Sequence, residues 1–445
     1  PPNRHEGIFH SRVAVSLRLH HLLTSASVPS PRRVALRVSP EAERWLRAGH
    51  PWVYDQAIRR KSHEGAAGDL AVVFDQRNRF LAIGLYDPGS PIRLRVLQHR
   101  TPAPITVAWF EARFLAALKL RAGLEAQTTA FRLVHGENDG LPGLVIDRYE
   151  STLVMKLYTA AWLPWLGAVT TAVASAFPAK RLVLRLSRAM APAARRIGLS
   201  DGLLLWGPQL EKPIIFQEHG LRFEVDPIRG QKTGFFLDQR DTRAALGALC
   251  EDRSVLDMFA YTGGFSVHAA GGGATEVTSV DVSRSVLEAA ARNMALNRRH
   301  PAVKRVTHHC LVGDAFTVLG NYRHEQRKFE VVILDPPSFA GSNAQVAPAL
   351  ASYRRLTQLG IGLLRSGGVL AQSSCSSHVT AEDFFNTVGK AAYDSGWQLR
   401  GLQRLGHPVD HPIAFPEGAY LKTLIAKVYR PGTPRRAAAV AAAPS

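Results

Sequence analysis

The sequence predicts an α/β protein whose C-terminal half is a doubly wound sheet, preceded by a small β-barrel and a central α+β module. Three observations predict it. Residues 255–259 form a short apolar run that stops at Ala260-Tyr261-Thr262-Gly263-Gly264 before a helical pattern begins at Phe265, as expected for a buried strand turning sharply into a helix. Similar runs at 276–280, 306–312 and 331–334 are followed by Asp281, Asp314 and Asp335. With Asp257 these make four carboxylates at strand ends, where open α/β sheets hold their ligands. Finally, many short strand patterns crowd residues 34–98, which implies a small barrel.

The chain has 445 residues, enough for two or three domains. Residues 1–33 are rich in Arg, His, Ser and Pro and are expected to be a basic disordered extension. The barrel is assigned to 34–105, with strands at 34–38, 68–75, 80–86 and 92–98 and a helix at 42–48. Residues 106–222 form the α+β module: a helix at 109–120, a hairpin over 131–149 whose turn is rich in Gly, Asn, Asp and Pro, and strands at 152–158, 181–186, 203–206 and 214–217. The doubly wound domain spans 223–430, and 431–445 is an Ala/Pro/Arg tail expected to be disordered.

A net charge of +19 and a pI near 10.3 favour an anionic partner, and a preference for Arg over Lys suits bidentate phosphate contacts, so a nucleic acid is the leading expectation. No apolar run of bilayer length occurs, so no membrane partner is expected. Three cysteines, Cys250, Cys310 and Cys375, are too few and too scattered for a disulfide framework or a four-ligand zinc site. The compartment is expected to be reducing and cytoplasmic, and no metal is expected.

The segments VLDMFAYTGGFS, SVDVS, GDAF and LDPPSF resemble the motifs of class I methyltransferases that use S-adenosylmethionine, with a Rossmann-like sheet. No GxGxxG follows the first strand, which sets the dehydrogenase alternative aside. The barrel, with His50-Pro51-Trp52-Val53-Tyr54, resembles a PUA domain, a small RNA-binding barrel. In it Arg59, Arg60, Lys61, Arg93 and Arg95 would meet phosphates and the aromatics would stack on bases, although Trp52 and Tyr54 also read as core residues. The hairpin and the long segment Gly230-Gln231-Lys232-Thr233-Gly234-Phe235-Phe236-Leu237-Asp238-Gln239-Arg240 resemble one branch, the bacterial large-subunit ribosomal RNA cytosine-5 methyltransferases. In the hairpin turn Glu137 and Asp139 are candidates, against the plainer reading of a self-capping turn. One departure is Ala340-Gly341-Ser342-Asn343, where the family carries a lysine.

That resemblance implies S-adenosylmethionine as cofactor and large-subunit ribosomal RNA as partner, with a homodimer left open. It implies cofactor contacts from Thr233, Asp238, Gln239, Arg240, Asp257, Tyr261, Gly263, Gly264, Asp281, Val282, Asp314, Ala315 and Asp335. Asp281 would take the ribose hydroxyls and Asp314 the adenine amine. Gln231, Lys232, Pro336, Pro337 and Phe339 would shape the base site, with Asp335 holding the cytosine edge. Cys375, between two serines after the strand 369–373, would be the nucleophile, because carbon 5 of a pyrimidine becomes nucleophilic only after addition at carbon 6. A cation should favour its thiolate, and Arg240, Arg354 and Lys232 are the candidates. Two alternatives remain: methylation of a base nitrogen at the Asp335-Pro336-Pro337 motif, and a non-catalytic RNA-binding assembly factor.

Overall fold

The computed structural model describes residues 33–431. The extension expected at 1–33 and the tail expected at 431–445 therefore lie, Arg33 and Pro431 apart, outside the described residues. Two compact units are present: residues 33–240 with His407–Ala419, and Asp241–Gly406 with residues 420–431.

In the first unit, β1 (Arg33–Val38), α1 (Pro40–Arg47), β2 (Trp52–Tyr54), β3 (Ile58–Lys61), β4 (Leu70–Phe74), β5 (Phe80–Tyr86) and β6 (Ile92–His99) build a six-stranded sheet ordered β2-β6-β5-β4-β1-β3 around the helix. Ser39 caps α1 by accepting from the amide of Ala42 at 3.2 Å, and Pro40 opens it, where its missing N–H costs nothing. The run Leu70-Ala71-Val72-Val73 is apolar at every position because both of its faces are covered. Ala71 and Val73 join Val34, Leu36, Val53 and Leu94 in one core, while Leu70 joins Ile83, Leu85 and Leu97 against the next module.

That module contains α2 (Val107–Leu120), β7 (Ala130–His135), β8 (Leu144–Tyr149), β9 (Thr152–Leu157), α3 (Leu166–Ala176), β10 (Arg181–Leu186), α4 (Ala191–Arg196) and β11 (Leu203–Trp206). Its five strands run β11-β10-β9-β8-β7, and the expected hairpin is the antiparallel pair β7-β8. Phe110, Phe114, Trp162 and Trp165 fill the core between sheet and helices. A ribbon of β12 (Ile214–Glu218) and β13 (Leu221–Val225) follows.

After α5 (Arg240–Gly247), the second unit alternates β14 (Ser254–Met258), α6 (Gly264–Gly271), β15 (Glu276–Asp281), α7 (Arg284–Leu296), α8 (Pro301–Arg305), β16 (Thr307–Val312), α9 (Ala315–His324), β17 (Phe329–Leu334), α10 (Val346–Gly362), β18 (Leu364–Ser374), α11 (Ala381–Asp394), β19 (Gln398–Leu405) and β20 (Lys422–Tyr429). The sheet order is β16-β15-β14-β17-β18-β20-β19, parallel from β16 to β18, with β20 antiparallel to both neighbours. The order reverses between β14 and β17, so their C-terminal ends open a crevice at a topological switch point.

Two expectations of length are corrected. The sequence pattern places a helix at about 353–364, whereas the helix runs from Val346 to Gly362, with Pro348 in its first turn, where proline is tolerated. The strand expected at 369–373 spans eleven residues, with Gly367-Gly368 inside an irregular pairing to β17. Among the described residues no helix is long and apolar enough to cross a membrane.

Candidate active site

The carboxyl ends of the parallel strands carry the chemistry-bearing residues of the second unit. Between β14 and α6 the backbone is contorted: Phe259 (φ 64°) and Tyr261 (φ 50°) both occupy the left-handed region, which is costly for aromatic residues and typical of ligand-gripping loops. Gly263 also has φ 76°, and a Cβ there would lie 2.8 Å from the Cβ of Ala290 on α7. Glycine at 263 is thus demanded by conformation and by helix packing, while Gly264 begins α6.

Asp281, the last residue of β15, links two loops. One carboxylate oxygen accepts from the amide of Tyr261 at 3.0 Å and the other from the amide of Ser283 at 3.0 Å. The neighbouring Val282 is 69 % exposed, an apolar side chain laid beside a carboxylate. Asp314 caps α9, one oxygen accepting from the amide and hydroxyl of Thr317 at 2.9 and 3.0 Å. The Thr317 amide and hydroxyl hold its carboxyl below the usual range. Ala315 is buried at the first position of that helix.

The strand-end expectation is corrected for Asp257. It lies inside β14, before Met258, and is fully buried. Its carboxylate accepts from the hydroxyl of Ser266 at 2.6 Å. Burial pushes its pKa up to about 7, Ser266 opposes this, and Asp335 adds like-charge repulsion. Three of the four acids stand at strand ends; this one lies beneath them.

The loops after β17 and β18 are knitted together. The Cys375 thiol donates to the carbonyl of Pro336 at 3.9 Å, and the Ser376 hydroxyl donates to the carbonyl of Ala340 at 2.8 Å. Phe339 packs on the buried Tyr353, with ring centroids 5.0 Å apart, and Tyr353 donates its hydroxyl to Ser374 at 2.9 Å. Asp335, Pro336, Pro337, Phe339 and Cys375 thus belong to one pair of loops. Cys250 is buried and its thiol is pushed up to about 12 by that burial, as expected of a structural cysteine. Among the described residues no group of three or more His, Cys, Asp or Glu could hold a metal ion.

Sequence reasoning missed Lys422. It heads β20, is only 4 % exposed, and lies opposite Ser374 in the register. Its ammonium donates to the carbonyls of Ser376 and Val379, both at 2.5 Å. The available signal was periodic: Lys422 shares a strand face with Leu424, Ala426 and Val428, which are core residues, so a lysine stood where an apolar residue was due. By contrast, Arg354 pairs with Asp394 at 2.8 Å.

In the first unit the segment 230–240 is held by the β7-β8 hairpin. The Thr233 hydroxyl donates to Asp147 at 2.5 Å and lies 3.2 Å from the Tyr149 hydroxyl, which also accepts from the amide of Phe235 at 3.1 Å. Gly234 has φ 130°, and a Cβ there would strike Val225 at 2.3 Å. Lys232 donates to Asp238 at 2.9 Å and lies over the ring of Phe236, while its carbonyl accepts from Lys156 at 3.1 Å. Arg240, fully buried, donates to Asp410 at 2.9 Å. Asp410 also accepts from the amide of Arg132 at 2.9 Å, and its carbonyl accepts from Arg121 at 3.0 Å. Burial works against ionisation of Asp410, but His411 and Arg240 outweigh it and hold its carboxyl well below the ordinary range. Gln239 is buried beside these residues in sequence, and Gln231 precedes the clamp.

The hairpin acids are structural. Glu137 accepts from the indole N–H of Trp52 at 2.8 Å and from Arg95 at 3.3 Å, and Asp139 accepts from Arg121 at 2.6 Å. Arg95 is therefore corrected from a phosphate ligand to a buried ion-pair partner, and Arg93 pairs with Asp55 at 2.9 Å. Arg59 and Arg60 stay exposed on β3.

A family described as S-adenosylmethionine-dependent methyltransferase matches residues 160–427, and a PUA-like domain matches residues 36–99. A protein of Deinococcus radiodurans named "Ribosomal RNA large subunit methyltransferase" is 47 % identical over 90 % of this chain and 98 % of its own length. This chain belongs to the S-adenosylmethionine-dependent methyltransferases. A second relative in the family, the "Ribosomal RNA large subunit methyltransferase I" of Pseudoalteromonas translucida, is 37 % identical over 86 % of this chain and 96 % of its own. A solved Streptococcus mutans methyltransferase fold superposes with a TM-score of 0.72 at 23 % identity, covering 88 % of this chain and 99 % of that one. A related crystal structure with a TM-score of 0.73, at 22 % identity and covering 89 % and 99 %, was solved in complex with SAH. These two establish likeness of fold. Together the comparisons identify an S-adenosylmethionine-dependent enzyme with a Rossmann-like catalytic domain and an N-terminal PUA-like domain.

Proposed function

We propose that this methyltransferase acts in the cytoplasm on carbon 5 of a cytosine in large-subunit ribosomal RNA, with Cys375 as the nucleophile. The observation that carries the reading is the pairing of the Cys375 loop with the Asp335-Pro336 loop through the thiol and the Pro336 carbonyl. A thiol and a carboxylate on adjoining loops suit a pyrimidine ring: one adds to carbon 6 while the other holds the polar edge. The names of the two relatives support large-subunit RNA as substrate.

The residues present fit the cofactor. Asp281 and the exposed Val282 offer a carboxylate for ribose hydroxyls and an apolar surface for a ring, and α6 turns its first N–H groups to the crevice side. Tyr261, Gly263, Gly264, Asp314 and Ala315 complete the set, with Asp257 supporting it through Ser266. In this reading Thr233, Asp238, Gln239 and Arg240 contribute to the cofactor site, and Gln231 and Lys232 to the base site. S-adenosylmethionine, when bound, supplies an electrophilic methyl group on a sulfonium.

The Cys375 thiolate donates an electron pair to carbon 6 of the base, forming the C–S bond and moving the ring π electrons toward carbon 5. Asp335 holds the exocyclic amine or, protonated, the ring nitrogen. Carbon 5 would take the methyl group as its bond to the sulfonium breaks and a neutral thioether is left, and loss of the carbon-5 proton to a base then restores the double bond and expels the thiolate. Flipping of the base from any stack precedes these steps, and Phe339 on its Tyr353 support is a surface for it. Residues 34–105 and 106–222 serve as the RNA-binding and scaffolding modules, and 223–430 as the catalytic domain.

The test is incubation of wild type and Cys375→Ser with labelled S-adenosylmethionine and unmodified large-subunit ribosomal RNA, followed by mass spectrometry of the nucleosides. 5-Methylcytosine from wild type and none from the variant is expected. A methylated nitrogen, or full activity in the variant, would replace this reading with one centred on the Asp335-Pro336-Pro337 motif. Cofactor binding without turnover would favour the assembly factor.

A further inference from the structure

A lysine on the buried face of a central strand needs a reason. Lys422 is 4 % exposed and shares its face with core residues Leu424, Ala426 and Val428. An uncompensated ammonium there would be expelled or would lose its proton. Two of its three N–H donors are taken by the carbonyls of Ser376 and Val379 at 2.5 Å. Both carbonyls belong to the loop that begins at Cys375, and Lys422 lies opposite Ser374, the residue before it, in the β18-β20 register.

Groups near the thiol come from two further elements: the Pro336 carbonyl and Asp335 after β17, and Tyr353 on α10, whose hydroxyl is already donated to Ser374. Burial lowers the pKa of Lys422 to about 8, while the nearby Cys375 raises it. The coupling is reciprocal: whatever the thiolate does for the ammonium, the ammonium does for the thiolate.

We propose that Lys422 is a positioning residue for the Cys375 reaction, its ammonium clamping the loop 376–379 and setting a buried positive charge beside the thiol so that the thiolate is the favoured form. Ionisation releases the thiol proton to solvent, and the electron pair left on sulfur forms the bond to carbon 6. The charge does not touch the base; it acts through Cys375. The proposal rests on the reading of Cys375 as the nucleophile.

The test uses the full chain carrying Cys310→Ser, which removes the exposed thiol, and follows iodoacetamide alkylation of Cys375 by mass spectrometry across a range of pH. Lys422→Met removes charge and donors, Lys422→Gln removes charge but keeps donors for the carbonyls, and Lys422→Arg keeps both. The expected result is an alkylation midpoint moved to higher pH in the Met and Gln variants, with the rate at neutral pH down about tenfold for each unit of movement, and recovery in Arg. Turnover should fall in parallel with the KM for RNA unchanged. Should Met misfold, as judged by loss of S-adenosylmethionine binding, Gln carries the test. Parental alkylation in the charge-free variants overturns the proposal, and so does a loss that Arg fails to restore, which would mark Lys422 as structural only. If Cys375→Ser still made 5-methylcytosine, the nucleophile reading would fall, while the alkylation midpoint would report separately on the charge.

Discussion

The segment 230–240 and the strand ends of the Rossmann-like sheet were read from the sequence in the same way, as polar residues around glycines, yet they use their charges oppositely. In the first, several polar side chains bind partners of their own unit: Thr233 binds Asp147, Lys232 binds Asp238 and Arg240 binds Asp410. In the second, Asp281 accepts from the backbone N–H groups of Tyr261 and Ser283, and Asp314 caps a helix, both at the edge of the sheet. A buried charge must be matched by its own fold, whereas a strand-end carboxylate bound to backbone amides keeps acceptor capacity for a ligand. In the proposed reading the first region is scaffold and the second is the face that meets the cofactor.

The largest expected effect tests the rigidity. Asp410→Ala leaves Arg240 buried without its carboxylate and should destabilise the first unit by about 3–5 kcal/mol, seen as a lower urea midpoint for the phase that reports that unit. Asp281→Ala, losing bonds from two amides at a partly exposed site, should cost only about 1–2 kcal/mol. Equal losses would erase the contrast between the two regions.

Asp257 crosses the divide, a site acid that is fully buried. Its folded-state pKa of about 7 stands above the value near 3.9 of an unfolded chain. Between these values the folded protein holds a proton that the unfolded chain has released. Stability therefore falls as pH rises from about 4 to about 7 and levels off above, by a total on the order of 3–4 kcal/mol. Asp257→Asn should flatten that slope in thermal melts of the second unit; parallel slopes in variant and wild type would show that Asp257 is ionised throughout.

Gly263→Ala should cost about 1–3 kcal/mol and weaken S-adenosylmethionine binding, because a Cβ meets Ala290 at 2.8 Å in a left-handed backbone. Gly320→Ala, inside α9 with nothing within 4 Å of the added carbon, should be neutral or stabilising by up to about 1 kcal/mol. Calorimetry of the two variants, with cofactor titration, separates a glycine needed by the loop from one that is not.

The sheet was legible in the sequence because parallel strands are apolar on both faces and their loops break them cleanly, as at Val331-Val332-Ile333-Leu334 before Asp335. Strand order was not legible, since nothing in the run 421–429 says that it enters antiparallel between β18 and β19. Cys375 could be placed on a loop after a strand, but Lys422 lies far along the chain and meets that loop only through register. Arg95 looked like a phosphate ligand because alternation tells which residues share a face, without telling that this face is covered by the hairpin residue Glu137. Long-range contacts such as those of Arg121 with Asp139 and with the Asp410 carbonyl have no local signature at all.

The smallest effect sharpens the comparison most. Val282 is 69 % exposed, and a lone exposed valine needs no explanation on its own. Beside Asp281 it acquires one if the strand ends are the ligand face: its apolar surface then serves the bound state and contributes nothing to the free protein. Val282→Ser should leave the thermal midpoint within the range of about ±0.5 kcal/mol expected of surface changes, yet weaken S-adenosylmethionine binding roughly fivefold, the equivalent of about 1 kcal/mol of lost apolar burial. Thr233→Val in the rigid segment should do the reverse, lowering stability by leaving Asp147 short of a donor while changing cofactor affinity less than it changes the melt. If Val282→Ser binds the cofactor as wild type does, recognition at the end of β15 lies with the Asp281 carboxylate alone, and the exposed valine is ordinary surface.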